Sequence, residues 1–164
     1  MTPSPGYRQI YPVSWEQLHR DSKALAWKLL EGQYYRGLIA VTRGGLVPAA
    51  IVARELDIRL VETVCISGYD WQEKRGDVEV LKPLESDGEG WLIVDDLVDT
   101  GRTAKVVRNM LPKAHFATVY AKPAGKPLVD DFVTAVSQNT WILFPWDSET
   151  QFVQPLVDQK RKVT

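Results

Sequence analysis

The sequence predicts an α/β fold in which a central, mostly parallel sheet is flanked by helices, as a single domain over residues 1-164. Three observations carry this. Apolar runs rich in β-branched residues recur at Gly37-Leu38-Ile39-Ala40-Val41, Trp91-Leu92-Ile93-Val94 and Phe116 to Ala121. Runs of this kind read as short strands buried on both faces. The first two each lead into a glycine-bearing turn and a helical pattern, the order of a β-α-β unit with a right-handed crossover. A chain of 164 residues suits one domain with a core of ordinary size.

Taken in order, residues 1-13 carry three prolines (Pro3, Pro5 and Pro12) and read as an N-terminal arm or a strand edge. Ser14 opens a helix. With Gln17 it has the spacing of a capping box, and Trp15, Leu18, Leu25 and Leu29 follow near helical spacing until Gly32. His19 reads as a surface or packing residue. After the 37–41 strand and Thr42-Arg43-Gly44-Gly45, a helix is expected from Leu46 to Leu56, with Pro48 tolerated in its first turn. A second strand is expected from Arg59 to Ile66.

Residues 67-90 show no sustained apolar period and many charges, so they read as a mobile loop region. Glycines at 68, 76, 88 and 90 could serve as hinges, and the first half as a lid with Arg75 or Lys74 reaching the ligand. A solvated β-hairpin is the alternative. Arg102 to Leu111 is a helix stopped by Pro112. His115 reads as structural, and Val129 to Val136 as a further strand. Residues 137-164 form a C-terminal hood and tail. The hood opens on the aromatic run Thr140 to Asp147, and Lys160-Arg161-Lys162 reads as a solvated end.

Twenty basic against twenty-one acidic side chains leave a formal charge of −1. That supplies no global basic field, so nucleic acid is not an expected partner. The single Cys65 excludes an internal disulfide, fits a reducing compartment and reads as a small buried hydrophobe. No signal-peptide pattern or membrane-spanning run is visible, so the expected location is cytoplasmic.

The chemistry concentrates after the 91–94 strand. Asp95-Asp96-Leu97-Val98-Asp99 leads into Thr100-Gly101-Arg102-Thr103 before the next helix. Backbone N–H groups are free at a helix start and the dipole there favours an anion. Gly101 permits close approach and the threonines add hydroxyl donors, a cradle for a phosphate monoester. The acids beside it suit ribose hydroxyls and a hard divalent cation. Together they describe a site for a phosphorylated sugar. Arg43-Gly44-Gly45 lies at the same sheet edge and offers a guanidinium fork to pyrophosphate. Lys122-Pro123 follows the next strand at that edge.

Two apolar residues, two acids, two apolar residues, an acid and T-G-x-T resemble the signature of the type I purine phosphoribosyltransferases, which bind 5-phosphoribosyl-1-pyrophosphate (PRPP). VTRGGLVP, TVCIS-YD, AKPAGKPLVDD and TWI--PWD, spread from about Ser14 to Asp147, are similar to the bacterial xanthine-guanine branch of that family. The resemblance implies transfer of phosphoribose from PRPP to N9 of guanine or xanthine, with hypoxanthine weaker.

It also implies roles. Arg43 and Gly44 would bind pyrophosphate, through a strained non-prolyl cis peptide, and Arg75 would join them from the mobile loop. Asp95 and Asp96 would face the ribose hydroxyls, with Asp96 holding Mg2+. Leu97 and Val98 would continue the PRPP-binding stretch, and Asp99, Thr100, Gly101, Arg102 and Thr103 would cover base N7 and the 5′-phosphate. Asp99 and Arg75 would be the catalytic pair. Lys122 would donate to O6, Trp141 would stack on the base, and Ile142 would use its backbone. Arg102 departs from the family's frequent second glycine, which leaves only its backbone contact expected. A homotetramer and weak peripheral association with the inner face of the cell membrane are further implications. The competing readings are a hypoxanthine- or pyrimidine-preferring relative and a PRPP-sensing regulator that binds RNA or DNA. The neutral charge, Asp99 and Arg75 speak against the regulator.

Overall fold

The computed structural model describes residues 6–68 and 78–147. In chain order its elements are β1 (Gln9–Pro12), α1 (Trp15–Leu30), β2 (Gly37–Thr42), α2 (Leu46–Glu55), β3 (Val61–Gly68), β4 (Val78–Lys82), β5 (Trp91–Val98), α3 (Arg102–Met110), β6 (His115–Ala121), a 3-10 turn (Lys126–Leu128), β7 (Asp131–Ala135) and β8 (Thr140–Leu143). Among the described residues two compact units form, one from residues 6–18 with 139–147 and the other from residues 19–68 with 78–138.

The larger unit holds a six-stranded sheet in the order β4-β3-β2-β5-β6-β7. Its pairs are parallel except β3–β4. From β2 the chain passes through α2 to β3 on one side, and from β5 through α3 to β6 on the other. The order therefore reverses between β2 and β5, and ligand crevices open outside the carboxyl ends of strands at such a point. Leu38, Ile39, Leu92, Ile93 and Val94 are wholly buried, as strands covered on both faces require. Ile39, Val41, Ile93, Val107, Leu111 and Phe116 belong to one apolar cluster. The Tyr120 hydroxyl donates to Asp21 Oδ2 at 2.7 Å and ties α1 to β6.

The expected α/β architecture is present, with local differences. β5 does not end at the aspartates. It runs on to Val98 because the ladder with β6 continues, Asp95 opposite Thr118 and Val98 opposite Ala121. Ladder hydrogen bonds use backbone groups, so acidic side chains do not stop them. The 67-90 region is not all loop: β3 extends to Gly68, and β4 pairs with it antiparallel. β4 alternates Val78, Val80 and Lys82 against Glu79 and Leu81 on an exposed edge, a pattern too polar to register as apolar period. Residues 69–77, with Lys74 and Arg75, lie outside the described residues. β7 starts at Asp131 rather than Val129. Cys65 is half-buried rather than fully buried, beside the register shift between Cys65 and Ile66 near the sheet edge.

The smaller unit pairs β1 with β8 in parallel, so Gln9–Pro12 of the N-terminal arm is a strand. Ser14 Oγ accepts from the Gln17 N–H at 3.1 Å. The Gln17 amide turns to the Tyr11 hydroxyl at 2.9 Å instead of closing the box. Trp146 stacks on Phe144 at 4.8 Å and 8° and meets Trp15 edge-on at 6.2 Å, which makes it a packing residue. Among the described residues no helix is long and apolar enough to cross a membrane.

Candidate active site

The carboxyl ends of β2, β5 and β6 bring the sequence-derived residues of the larger unit to one edge. The turn after β2 is held by Gly45 N–H donating to Val41 O at 2.8 Å and Leu46 N–H to Arg43 O at 3.1 Å. The non-prolyl cis peptide is the Thr42–Arg43 bond, so it precedes Arg43 rather than joining it to Gly44. A β-carbon on Gly44 would collide with the Asp96 carboxylate, and one on Gly45 would lie 2.5 Å from Val94 O. The turn is thus pressed against β5, and close approach explains both glycines. Arg43 is exposed beside it.

On β5, Asp95 is buried and Asp96 is half-buried. The Asp96 N–H donates to Asp95 Oδ1 at 2.9 Å. Burial, and then the negative charge of Asp96, push the Asp95 carboxyl well above the usual carboxylate range. Asp95→Asn, melted in EDTA, is expected to raise the midpoint by a few degrees. The amide removes a group whose ionisation burial opposes, and 1 kcal/mol corresponds to about 2–4 °C for a domain of this size. The native state therefore keeps a proton at Asp95 to higher pH than the unfolded chain does. Stability of the parent therefore falls as pH rises above the ordinary carboxylate value of about 4. The Asp95→Asn variant should flatten that slope; an unchanged midpoint and slope would contradict the assignment.

The stretch after β5 turns on Gly101, which has φ 85° at the N-cap of α3. A β-carbon there would lie 2.5 Å from Leu128 Cδ1, so glycine is required by conformation and by space. The first bond of α3 runs from Lys105 N–H to Gly101 O at 2.9 Å. Gly101 brings no side-chain cap to the N–H groups that follow it. Thr100 and Arg102 are exposed and Thr103 is half-buried.

Asp99 meets Lys122 across the β5–β6 edge. Lys122 Nζ donates to Asp99 Oδ2 at 2.8 Å, with the Lys122 side chain 1% exposed. Gln138 Nε2 donates to Asp99 Oδ1 at 2.8 Å. Gln138 and Gly125 were missed by sequence reasoning. Gly125 had a signal in K-P-A-G, since its β-carbon would strike Val98 and sit 2.9 Å from Asp99 O. Gln138 had none, being 39 positions from its partner.

In the smaller unit, Trp141 and Ile142 lie on β8. Ile142 is buried opposite Tyr11, and Tyr7 packs edge-on against Trp141 at 5.2 Å. Arg75 lies outside the described residues. Among the described residues no group of three or more His, Cys, Asp or Glu gathers as a metal cage.

Residues 14–152 match the family model described as phosphoribosyl transferase domain. The chain belongs to the phosphoribosyltransferase family. A xanthine-guanine phosphoribosyltransferase of Desulfotalea psychrophila is 66% identical over 159 residues, covering 97% of this chain and 99% of that protein. One from Nitratidesulfovibrio vulgaris is 67% identical over 162 residues, 99% of each. Among solved structures, the purine phosphoribosyltransferase of Pyrococcus horikoshii aligns with a TM-score of 0.74 at 28% identity, over 89% of this chain and 99% of that one. In this phosphoribosyltransferase the acid pair, the Gly101 turn and the Lys122–Asp99 pair therefore occupy a fold shared with those proteins.

Proposed function

We propose that the chain is a purine salvage enzyme that transfers 5-phosphoribose from PRPP to N9 of guanine or xanthine, giving GMP or XMP and pyrophosphate. The Lys122–Asp99 pair carries the reading. A 6-oxopurine presents O6, an acceptor, beside N7, which bears a proton in the tautomer whose N9 can attack. Lys122 offers donors and no acceptor, and ionised Asp99 offers acceptors and no donor. They stand 2.8 Å apart, as neighbouring groups of one base edge require. The names and identity of the two bacterial relatives support the same base class.

In this reading N9 bonds to C1′ as the C1′–oxygen bond to pyrophosphate breaks, and the N7 proton passes to Asp99. Arg43, Gly44 and Arg75 hold the leaving pyrophosphate. The N–H groups at the start of α3, with Thr100 and Thr103, hold the 5′-phosphate. Leu97 and Val98 carry the backbone between the two anchors. Trp141 stacks on the base and Ile142 offers it backbone groups. Positioning and fixed charge stabilise the ribosyl cation character of the transition state.

Hard oxygen donors suit Mg2+, which is usually held by one or two carboxylates together with substrate phosphates. The half-buried Asp96 beside buried Asp95 fits that pattern without a preformed cage. Asp96 would hold the ion and, with Asp95 behind it, orient the ribose diol. Bound there, Mg2+ would supply Lewis-acid stabilisation of pyrophosphate.

PRPP consumption measured with five free bases tests the reading. Guanine and xanthine should be used well, hypoxanthine less, and adenine not at all, because Lys122 cannot accept from a 6-amino group. Efficient adenine turnover would overturn it. A cytoplasmic homotetramer with weak peripheral membrane association completes the proposal on resemblance alone. Light scattering and vesicle flotation test those two points.

A further inference from the structure

We infer that Gln138 is a positioning residue that sets the orientation of the Asp99 carboxylate for the base. The inference rests on the purine-transfer reading above. Gln138 follows β7 and reaches two loops at once. Its Oε1 accepts from the Ala124 N–H at 2.9 Å, and its Nε2 donates to Asp99 Oδ1 at 2.8 Å. The amide can face only one way. Ala124 N–H is a donor and needs the oxygen, which leaves the nitrogen for Asp99.

Among the donors to the carboxylate, Lys122 and Gln138 have different fates. Lys122 holds Oδ2 at 2.8 Å, the oxygen beside the group that must turn to O6 of an arriving base. When Lys122 does so, Oδ2 can take the N7 proton, while Gln138 keeps its hold on Oδ1. The Gln138 bond keeps Oδ1 in place while the lysine on Oδ2 turns to the base. Glycines press the same loops together: a Gly125 β-carbon would sit 2.9 Å from Asp99 O, and a Gly101 β-carbon 3.7 Å from Ala124 O. Gln138 bridges these loops from the backbone N–H of Ala124 to the carboxylate of Asp99.

Two substitutions separate positioning from simple loop bracing. Gln138→Glu keeps the acceptor for Ala124 but turns a second carboxylate toward Asp99, a like-charge contact. Gln138→Met keeps the length and loses both bonds. Positioning predicts that Gln138→Glu is the worse variant, with kcat for guanine down by roughly 10²-fold, the scale of a misplaced reacting group. Gln138→Met should fall less, by about tenfold, and KM for PRPP should hold in both. Bracing alone predicts the reverse order, Gln138→Glu near wild type and Gln138→Met impaired, and that order would overturn the inference. Ala124 amide exchange and the Asp99 carboxyl carbon shift, both read by NMR without substrate, report the two bonds directly. An Asp99 shift unmoved in both variants would also overturn the inference. Wild type that turns over no purine would instead sink the reaction reading, leaving the NMR comparison to judge the Gln138–Asp99 bond alone.

Discussion

Asp99→Asn is expected to lower kcat by about 10²–10⁴-fold, the usual worth of positioned acid–base help. The amide nearly preserves shape but cannot take the N7 proton. It also carries one nitrogen where the native carboxylate has two acceptors, so either Lys122 or Gln138 loses a bond partner. The loss should fall on the chemical step. Asp96 and Thr100 to Thr103 are untouched, so KM for PRPP should change little. Single-turnover rates with saturating PRPP separate chemistry from product release. A rate within about threefold of wild type, less than about 1 kcal/mol of barrier, would exclude proton transfer at Asp99 and leave it a partner for Lys122.

Lys122→Met should cost guanine and xanthine about 10²-fold in kcat/KM. Losing a charged donor leaves a desolvated O6 unpaired, a penalty of about 1.5–3 kcal/mol. Discrimination against adenine should shrink at the same time, because the donor that rejects a 6-amino group is gone. Folding should respond too. Lys122 is 1% exposed, and its removal takes a charged donor from a carboxylate that is only 28% exposed. Breaking a fully buried pair costs about 3–5 kcal/mol. Asp99 is partly solvated and keeps its bond to Gln138, so about 1–2 kcal/mol is the expected loss, read as a lower melting midpoint. Unchanged guanine kinetics with unchanged base preference would remove Lys122 from base recognition, whatever the midpoint does.

Lys122 and Asp99 were both legible in the sequence, yet their contact was not. Each follows a recognisable apolar strand, and a parallel strand buried on both faces has little choice but to be apolar throughout. That local constraint is why β2, β5 and β6 could be read from composition alone. It also places Arg43, the aspartates and Lys122 at one sheet edge, because every right-handed crossover returns the chain in the same direction. Glycines 44 and 101 were legible as turns, although the reason for Gly44 is a carboxylate from another strand.

Other features depend on pairing between distant segments. β5 continues past Asp95 and Asp96 because β6 lies alongside to accept its backbone bonds. β4 is a strand because β3 offers it an edge, and Gln9–Pro12 of the proline-bearing arm is one because β8 does. Gln138 reaches Asp99 across 39 positions, a distance no spacing rule covers. Burial and backbone conformation act locally, so the buried strands, the order of the helices and the chemical types at the sheet edge are legible in the chain. Strand ends, edge pairings and the donor that meets each carboxylate depend on long-range packing. Backbone hydrogen bonds are blind to side-chain identity, and contacts between loops exist only once the sheet has fixed their separation.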